Sequence, residues 1–205
     1  MPAPATQRTD ADWPALPDAI KAGVRAMPVP NDRQLNRVRQ YLTQCRGLSD
    51  ALLESLIQAA KLYADRRANA VFLLMAGKPN RPVGAELRGT GPRVWRGMAP
   101  GTRKDLGFFW LSDPASRQLV LCESAIDAIS YYQLHPDALC LSTSGVRANP
   151  LWLPGLLARG YEIHCGFDAD EPGDAVAAQM IALHPAVQRL RPSAHDWNDV
   201  LTSRR

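Results

Sequence analysis

Two aspartates in one short segment, Asp168 and Asp170, most constrain what this chain can fold into. They follow the apolar run 161–165, which has the composition of a strand, and precede the alanine-rich run 175–183, which has that of a helix. In an open parallel sheet, ligands bind at the edge where strands end. Two carboxylates in such a loop can turn towards one point, and oxygen ligands suit Mg²⁺ or Mn²⁺. The alternative interpretation is a helix start capped by Asp170.

The second half of the chain alternates regularly between strands and helices. Near-continuous apolar strands separated by helices predict βαβ units and a parallel sheet with right-handed crossovers. We therefore predict an α/β domain over residues 118–205. Its predicted strands are 119–122, 138–141, 161–165 and 187–190, and its predicted helices are 126–134, 152–159 and a helix from Pro172. Residues 196–201 are predicted to be a loop that enters a short terminal helix.

The first half of the chain has a different pattern. Residues 1–30, rich in Pro and Ala, are expected to be a flexible leader or linker. Residues 31–117 are predicted to form a small α+β domain, in which a helical hairpin precedes antiparallel strands separated by Gly and Pro. The predicted helices span 33–45 and 50–60, and the predicted strands span 62–65, 70–75, 83–88, 93–96 and 107–111.

Charge is divided unequally between the two halves. Residues 1–118 hold 18 Lys and Arg against 10 Asp and Glu, whereas residues 119–205 hold 6 against 10. Such a basic half favours a polyanion partner, although basic surfaces are often only solubilising. A surface that contacts phosphates and stacks on bases is predicted from Arg88, Arg93, Trp95, Arg96, Arg103 and Lys104. The alternative for Trp95, and the favoured interpretation for Trp110, is a place in the core.

The cysteines and the apolar runs exclude several classes of protein. Four cysteines are scattered singly without metal-ligand spacing, which argues against a zinc site. The apolar runs, such as 69–76, are too short to span a bilayer, and no secretory signal precedes them. We therefore expect a cytoplasmic protein that does not bind membranes.

A set of motifs in the second half occurs in a fixed order. The motifs are Glu123 with the helix 125–128, the loop 141–145, Asp168 and Asp170 with Gly173, and the stretch 196–199. As a set they resemble the Toprim domain of DnaG-type primases, topoisomerases and OLD-type nucleases over residues 118–203, with Asn198 in place of an acid. Residues 32–112 are similar to a poorly characterised module that precedes Toprim domains in proteins of plasmids and integrative elements.

The Toprim resemblance implies Mg²⁺- or Mn²⁺-dependent phosphoryl transfer on nucleic acid. It implies that Glu123, Asp168 and Asp170 are catalytic, with Glu123 as a general acid or base. It also implies a metal held by Glu123, Asp168, Asp170 and Asp174. Asp127 is expected on a helix surface. Residues expected to surround the metal or contact phosphate are Ser144, Arg147, Gly173, His195 and Asp196.

Several accessory features of the relatives are missing from the sequence. There is no cysteine-rich zinc module, no GxxxxGK[ST] motif and no cluster of histidines, and the five tyrosines fit packing positions. Two hypotheses remain open besides a small-molecule phosphatase. The first is an enzyme, a nucleotidyltransferase or phosphodiesterase of primase-like or nuclease-like type that acts in plasmid or mobile-element replication or transfer. The second is a module that binds single-stranded DNA within a larger replication or mobilisation protein, alongside other such proteins.

Overall fold

The computed structural model describes residues 27–77, 80–93, 95–112 and 115–204. These residues divide into two compact units, one ending at Phe109 and the other beginning at Trp110. The first is an α+β unit with an antiparallel sheet, and the second is an α/β unit with a largely parallel sheet. The predicted fold class is confirmed. Residues 1–26, predicted as a leader, lie outside the described residues.

The first unit contains two helical segments followed by a four-stranded sheet. A 3₁₀ turn at Asp32–Gln34 precedes α1, which continues as a π turn at Tyr41–Cys45. The strands follow the order β1-β2-β3-β4, and every pair is antiparallel. The bounds are α1 Leu35–Gln40, α2 Asp50–Gln58, β1 Leu62–Ala64, β2 Ala70–Ala76, β3 Arg81–Arg88 and β4 Arg96–Met98.

Residues 27–30, the end of the predicted leader, pack on this unit. The Tyr63 hydroxyl donates a 2.8 Å hydrogen bond to the Pro28 carbonyl, and Pro30 pairs with Asp65 in an isolated antiparallel bridge. Met27 lies against a core cluster that contains Val71. Residues 27–30 therefore contact the first unit, although they precede its predicted start at residue 31.

The second unit is a five-stranded sheet with the order β5-β7-β6-β8-β9. β6 pairs in parallel with both β7 and β8, and β8 pairs in parallel with β9. This topology brings the carboxyl ends of β6, β7 and β8 to one edge. The bounds are β5 Phe109–Ser112, β6 Gln118–Cys122, α3 Ala125–Leu134, β7 Leu139–Ser142, α4 Leu153–Leu157, β8 Glu162–Cys165, α5 Glu171–Leu183, β9 Gln188–Arg189 and α6 Trp197–Thr202.

Part of the buried surface of the second unit lies between its sheet and helix α3, which also packs on α6. β6 and β7 are almost entirely buried, as expected for central strands of a parallel sheet. The first seven residues of α3 are all buried, because the helix packs on β7 and on α6. Trp110 is 4% exposed and Trp197 is 6% exposed, so both indoles belong to the core. In the part of the chain described here, none of the helices has the length and apolar character needed to cross a membrane.

Candidate metal centre

Glu123 and Asp168 lie side by side at the carboxyl edge of the parallel sheet. Glu123 follows β6 and Asp168 follows the neighbouring strand β8, with Gly166 and Phe167 between. The backbone N–H of Asp168 donates a 3.1 Å hydrogen bond to Oε1 of Glu123. Two acids far apart in sequence are therefore neighbours because their strands are parallel and adjacent.

Asp168, Asp170 and His195 form a group that could hold a metal ion. Each offers one ligand atom, and the three atoms lie within 4.8 Å of one another. The histidine is brought in by the backbone, since the N–H of Ala169 donates a 2.7 Å hydrogen bond to the carbonyl of His195. Asp170 also caps α5, because its Oδ1 accepts a 2.8 Å hydrogen bond from the N–H of Gly173. A carboxylate has two oxygens, so capping by one is compatible with metal binding by the other.

The electrostatics of Asp168 fit a cation site. Partial burial, followed by the negative charges of Glu123 and Asp196, raises the pKa of Asp168 to about 7, which His195 partly counteracts. Its Oδ1 is buried and has no hydrogen-bond partner. A buried, unpaired carboxylate oxygen beside two other acids is costly unless a proton or a cation neutralises it. The donor set of carboxylate oxygens and one imidazole suits Mn²⁺ and related divalent ions.

Metal binding at this group should become stronger between pH 6 and pH 8. The raised pKa of Asp168 means that this carboxyl is largely protonated at pH 6, and a metal must displace that proton. We expect Mn²⁺ affinity to fall about tenfold for each pH unit below 7. Titration calorimetry in two buffers of different ionisation enthalpy should count at least one proton released at pH 6 and fewer at pH 8.

A matched control for this proton count is Asp127→Asn. Burial raises the pKa of Asp127 to about 7 as well, but this residue lies outside the three-residue group. The variant should therefore release as many protons at pH 6 as the wild type. Loss of the proton release in Asp127→Asn would show that Asp127, and not Asp168, is the carboxyl that titrates.

Arg189 holds the loop that carries the two aspartates, a role the sequence did not indicate. Its Nη1 donates to the carbonyls of Cys165 and Phe167, at 3.0 and 2.9 Å. Its Nη2 donates to the carbonyl of Asp168 at 3.0 Å and to Oδ1 of Asp174 at 2.6 Å. The guanidinium presents several donors in a rigid plane, so one side chain holds three backbone carbonyls at the end of β8 and in the loop that follows it.

Asp174, predicted as a metal ligand, is instead the partner of two arginines. It forms ion pairs with Arg189 at 2.6 Å and with Arg191 at 3.1 Å. The hydrogen bond from Arg189 lowers the pKa of Asp174 below its usual value. Asp174 is also absent from the group that could hold a metal. The structure therefore places Asp174 in the support of the loop.

Gly173 allows a close approach between the first turn of α5 and the loop before it. A Cβ at this position would lie 2.3 Å from the carbonyl oxygen of Asp168 and 3.1 Å from Oδ1 of Asp170. The sequence predicted a close approach of the backbone to an ion or phosphate. The atoms that Gly173 approaches are those of the loop itself.

Asp127 is buried, so its predicted place on a helix surface is wrong. It is 5% exposed, near the start of α3, where the whole first half of the helix is covered. Its Oδ2 accepts a 2.5 Å hydrogen bond from the hydroxyl of Ser124, and its Oδ1 accepts one of 3.3 Å from the N–H of Asn198. The side chain of Asn198 donates to Ser130 at 3.0 Å. These bonds tie α3 to α6, whose N-terminus is capped by Asp196 through a 2.6 Å hydrogen bond.

The family comparison matches each unit separately. Residues 40–111 match a family described as proteins of unknown function, DUF3991. Residues 120–201 match a family described as Toprim-like. The second unit is a Toprim-like domain. The resemblance inferred from the motifs, including the poorly characterised module in front, is therefore confirmed.

Solved structures of primase cores share the fold. The primase fragment of the bacteriophage T7 primase-helicase protein is 16% identical, with a TM-score of 0.58 over 78% of this chain and 68% of that chain. The DnaG catalytic core is 19% identical, with a TM-score of 0.57 over 82% and 69%. A chain in the complex of bacteriophage T7 lagging-strand DNA polymerase with primase domains of two gp4 subunits bound to an RNA/DNA hybrid and dTTP is 16% identical, with a TM-score of 0.53 over 78% of this chain and 83% of that chain. Among curated proteins, none is significantly similar in sequence to this chain.

In the Toprim-like domain, the loop after β7 closes over the end of β6. The N–H of Gly145 donates a 2.7 Å hydrogen bond to the carbonyl of Glu123. Ser144 adopts a positive φ of 55° and is 7% exposed, with its N–H bonded to the Ser142 hydroxyl at 3.1 Å. Arg147 lies half-buried further along the same loop. Ser144 therefore shapes the loop beside Glu123, and phosphate contact by Ser144 or Arg147 stays a prediction.

The predicted nucleic-acid residues lie in the first unit, and the structure separates them into two sets. Arg88, Trp95 and Arg96 lie where β3 ends and β4 begins, and Arg93 lies in the loop between them. Arg103 lies beside the start of β3, because its backbone N–H donates a 2.8 Å hydrogen bond to the carbonyl of Val83. Its guanidinium is paired with Asp105 at 2.6 Å. Arg103 and the adjacent Lys104 therefore belong to a different part of this unit.

Proposed function

We propose that this chain catalyses metal-dependent phosphoryl transfer on nucleic acid, as a primase-like nucleotidyltransferase or a nuclease-like phosphodiesterase. The observation that carries the proposal is the metal-capable group of Asp168, Asp170 and His195 beside Glu123, with a buried, unpartnered Oδ1 on Asp168. The Toprim-like match supports it, since Toprim domains typically bind a divalent metal. The fold likeness to primase cores supports nucleic acid as the substrate class.

Each acid at the sheet edge has a distinct part in this proposal. Asp168 and Asp170 would hold Mg²⁺ or Mn²⁺, with His195 as a third ligand. The bound ion would neutralise phosphate charge and orient the reacting oxygens. Glu123 would move the proton of the attacking hydroxyl or of water, and its Oε1 is oriented by the N–H of Asp168. Arg189 would keep the loop in place during turnover, because it holds backbone carbonyls rather than the ligand side chains.

The finer parts of the proposal rest on the sequence resemblance. We propose single-stranded DNA as the natural substrate, and replication or transfer of plasmid or mobile-element DNA as the setting. The alternative function is a non-catalytic module that holds single-stranded DNA for a larger protein. The concentration of arginines in the first unit, rather than in the unit that carries the acids, favours that alternative.

One assay tests the enzyme against the binding module. The chain would be incubated with labelled single-stranded DNA and all four ribonucleotides, with Mg²⁺, with Mn²⁺ or with EDTA. We expect extension products or cleavage products that require a divalent metal. DNA retained in a complex with no product in either metal would contradict the enzyme and support the binding module. A parallel incubation with small phosphate esters separates a small-molecule phosphatase from both.

A further inference from the structure

Two loops of the antiparallel sheet lie together at one of its ends. The loop between β1 and β2 and the loop between β3 and β4 are neighbours because β2 pairs with both β1 and β3. In this register Ala70 lies opposite both Ala64 and Arg88, and Arg88 lies opposite Arg96. The hydroxyl of Thr90 then donates a 2.7 Å hydrogen bond to the carbonyl of Ala68, which joins the two loops directly. We call this region the arginine end of the sheet.

The arginine end concentrates positive charge that the described residues do not pair. Its five arginines are Arg66, Arg67, Arg88, Arg93 and Arg96. All are exposed except Arg88, which is partly buried, and none of them has a side-chain ion pair among the described residues. The nearby acids are two: Asp65, whose carboxylate is bonded to Arg67 N, Asn69 N and Asn69 Nδ2, and the buried Glu86.

Arg88 and Arg96 show most clearly that an anion would be favourable here. They occupy directly opposite positions on adjacent strands, where like charges destabilise a sheet. The Nε of Arg88 is buried and has no hydrogen-bond partner. A phosphate between the two guanidinium groups would relieve the repulsion and satisfy that donor, because guanidinium groups bind phosphate in a bidentate manner.

Trp95 adds a flat apolar surface to the arginine end. Trp95 is 46% exposed, whereas Trp110 and Trp197 are buried. The indole lies against Gly97, where a Cβ would come within 3.1 Å of Cζ2. The carbonyl of Trp95 accepts a 2.9 Å hydrogen bond from Gly89. The ring is thus held by small residues on its own loop and strand while part of it remains open to solvent.

We propose that the arginine end binds a single strand of nucleic acid, with phosphates on the arginines and an unpaired base stacked on Trp95. Charge complementarity with the backbone and an exposed aromatic ring are what such sites combine. Side chains of adjacent residues point to opposite faces of a β-strand, so Trp95 and Arg96 lie on opposite faces of the sheet at its β4 edge. The bound nucleic acid therefore crosses that edge of the sheet. The inference names the partner of the proposed function, yet binding here requires neither the metal nor Glu123.

The test is binding of a fluorescein-labelled oligo(dT) to the full chain by anisotropy, in EDTA and over a series of NaCl concentrations. We expect Trp95→Ala to weaken binding by about 5- to 100-fold and Trp95→Phe to weaken it much less. Arg88→Gln and Arg96→Gln should each lower the salt slope by close to one contact. The matched control is Arg103→Gln, since Arg103 is already paired with Asp105, and it should change little.

Three results would overturn the inference. One is equal weakening by Arg103→Gln and Arg96→Gln, which would mean that only net charge matters. The second is unchanged affinity in Trp95→Ala, checked for folding by circular dichroism. The third is displacement of the oligonucleotide by polyglutamate at the same charge concentration, which would assign the surface to an acidic protein. EDTA removes divalent metal, so the binding result does not depend on an active metal centre. Binding without turnover would support this inference and contradict the proposed enzyme activity, which separates the two.

Discussion

Replacing Asp168 with Asn should weaken Mn²⁺ binding by about 100-fold or more and remove metal-dependent turnover, because a neutral amide replaces the charged ligand at a partly buried site. The hydrogen bond from the backbone N–H of Asp168 to Glu123 does not involve the Asp168 side chain and should persist. Calorimetry with Mn²⁺ measures the affinity, and the labelled-DNA assay measures the turnover.

The informative control for this variant is Asp174→Asn. The structure pairs Asp174 with Arg189 and Arg191, so its amide variant should lower metal affinity by no more than about tenfold. It should lower the melting temperature instead. Equal losses of Mn²⁺ binding in the two variants would make Asp174 a ligand, as the family resemblance first suggested, and would count against the geometry described here.

Gly173→Ala should destabilise the Toprim-like domain by about 3 kcal/mol and impair metal binding at the same time. The added Cβ would lie 2.3 Å from the carbonyl oxygen of Asp168, so either the start of α5 or the loop must move. No rotamer relieves this contact, because the opposing atom belongs to the backbone. Urea denaturation measures the loss of stability, and calorimetry measures the loss of affinity.

Gly155→Ala is the matched control for the glycine variant. Gly155 is exposed within α4, and a Cβ there would meet no atom within 4 Å. Alanine is the better helix former, so this variant should be unchanged or more stable by up to about 1 kcal/mol. If the Gly173→Ala protein is as stable as the Gly155→Ala protein, the loop before α5 can accommodate a Cβ at position 173, which contradicts the predicted clash.

The order of elements in the Toprim-like domain could be predicted because its signals are local. Buried parallel strands such as β6 and β7 are continuous apolar runs, and the helices between them begin with capping residues such as Ser124 and Asp170. Strand pairing in the first unit was predicted less well at β4. The sequence predicts it over 93–96, whereas β4 spans Arg96–Met98, and a hydrogen bond from Gly89 N–H to the Trp95 carbonyl precedes it.

The support of the site could not be predicted, because its contacts are made with the backbone or with distant residues. Arg189 binds carbonyl groups, which every residue has, so no side-chain pattern marks the sites it contacts. His195 reaches the aspartates through a backbone bond to Ala169. Asp127 resembles an ordinary acid in the first turn of a helix, and its burial depends on Asn198, which lies 71 residues later. The acids at the strand ends could be predicted, whereas the contacts that hold their loop in place could not.

The contacts of Arg189 also make the backbone conformation of the loop after β8 independent of most of its side chains. Its main-chain acceptors include the carbonyls of Cys165, Phe167 and Asp168, so a change of side chain at these positions leaves those acceptors in place. The side chain at position 168 can therefore be exchanged while the loop keeps its course. A copy of the chain that lost the proposed metal ligand would then keep the fold of this loop.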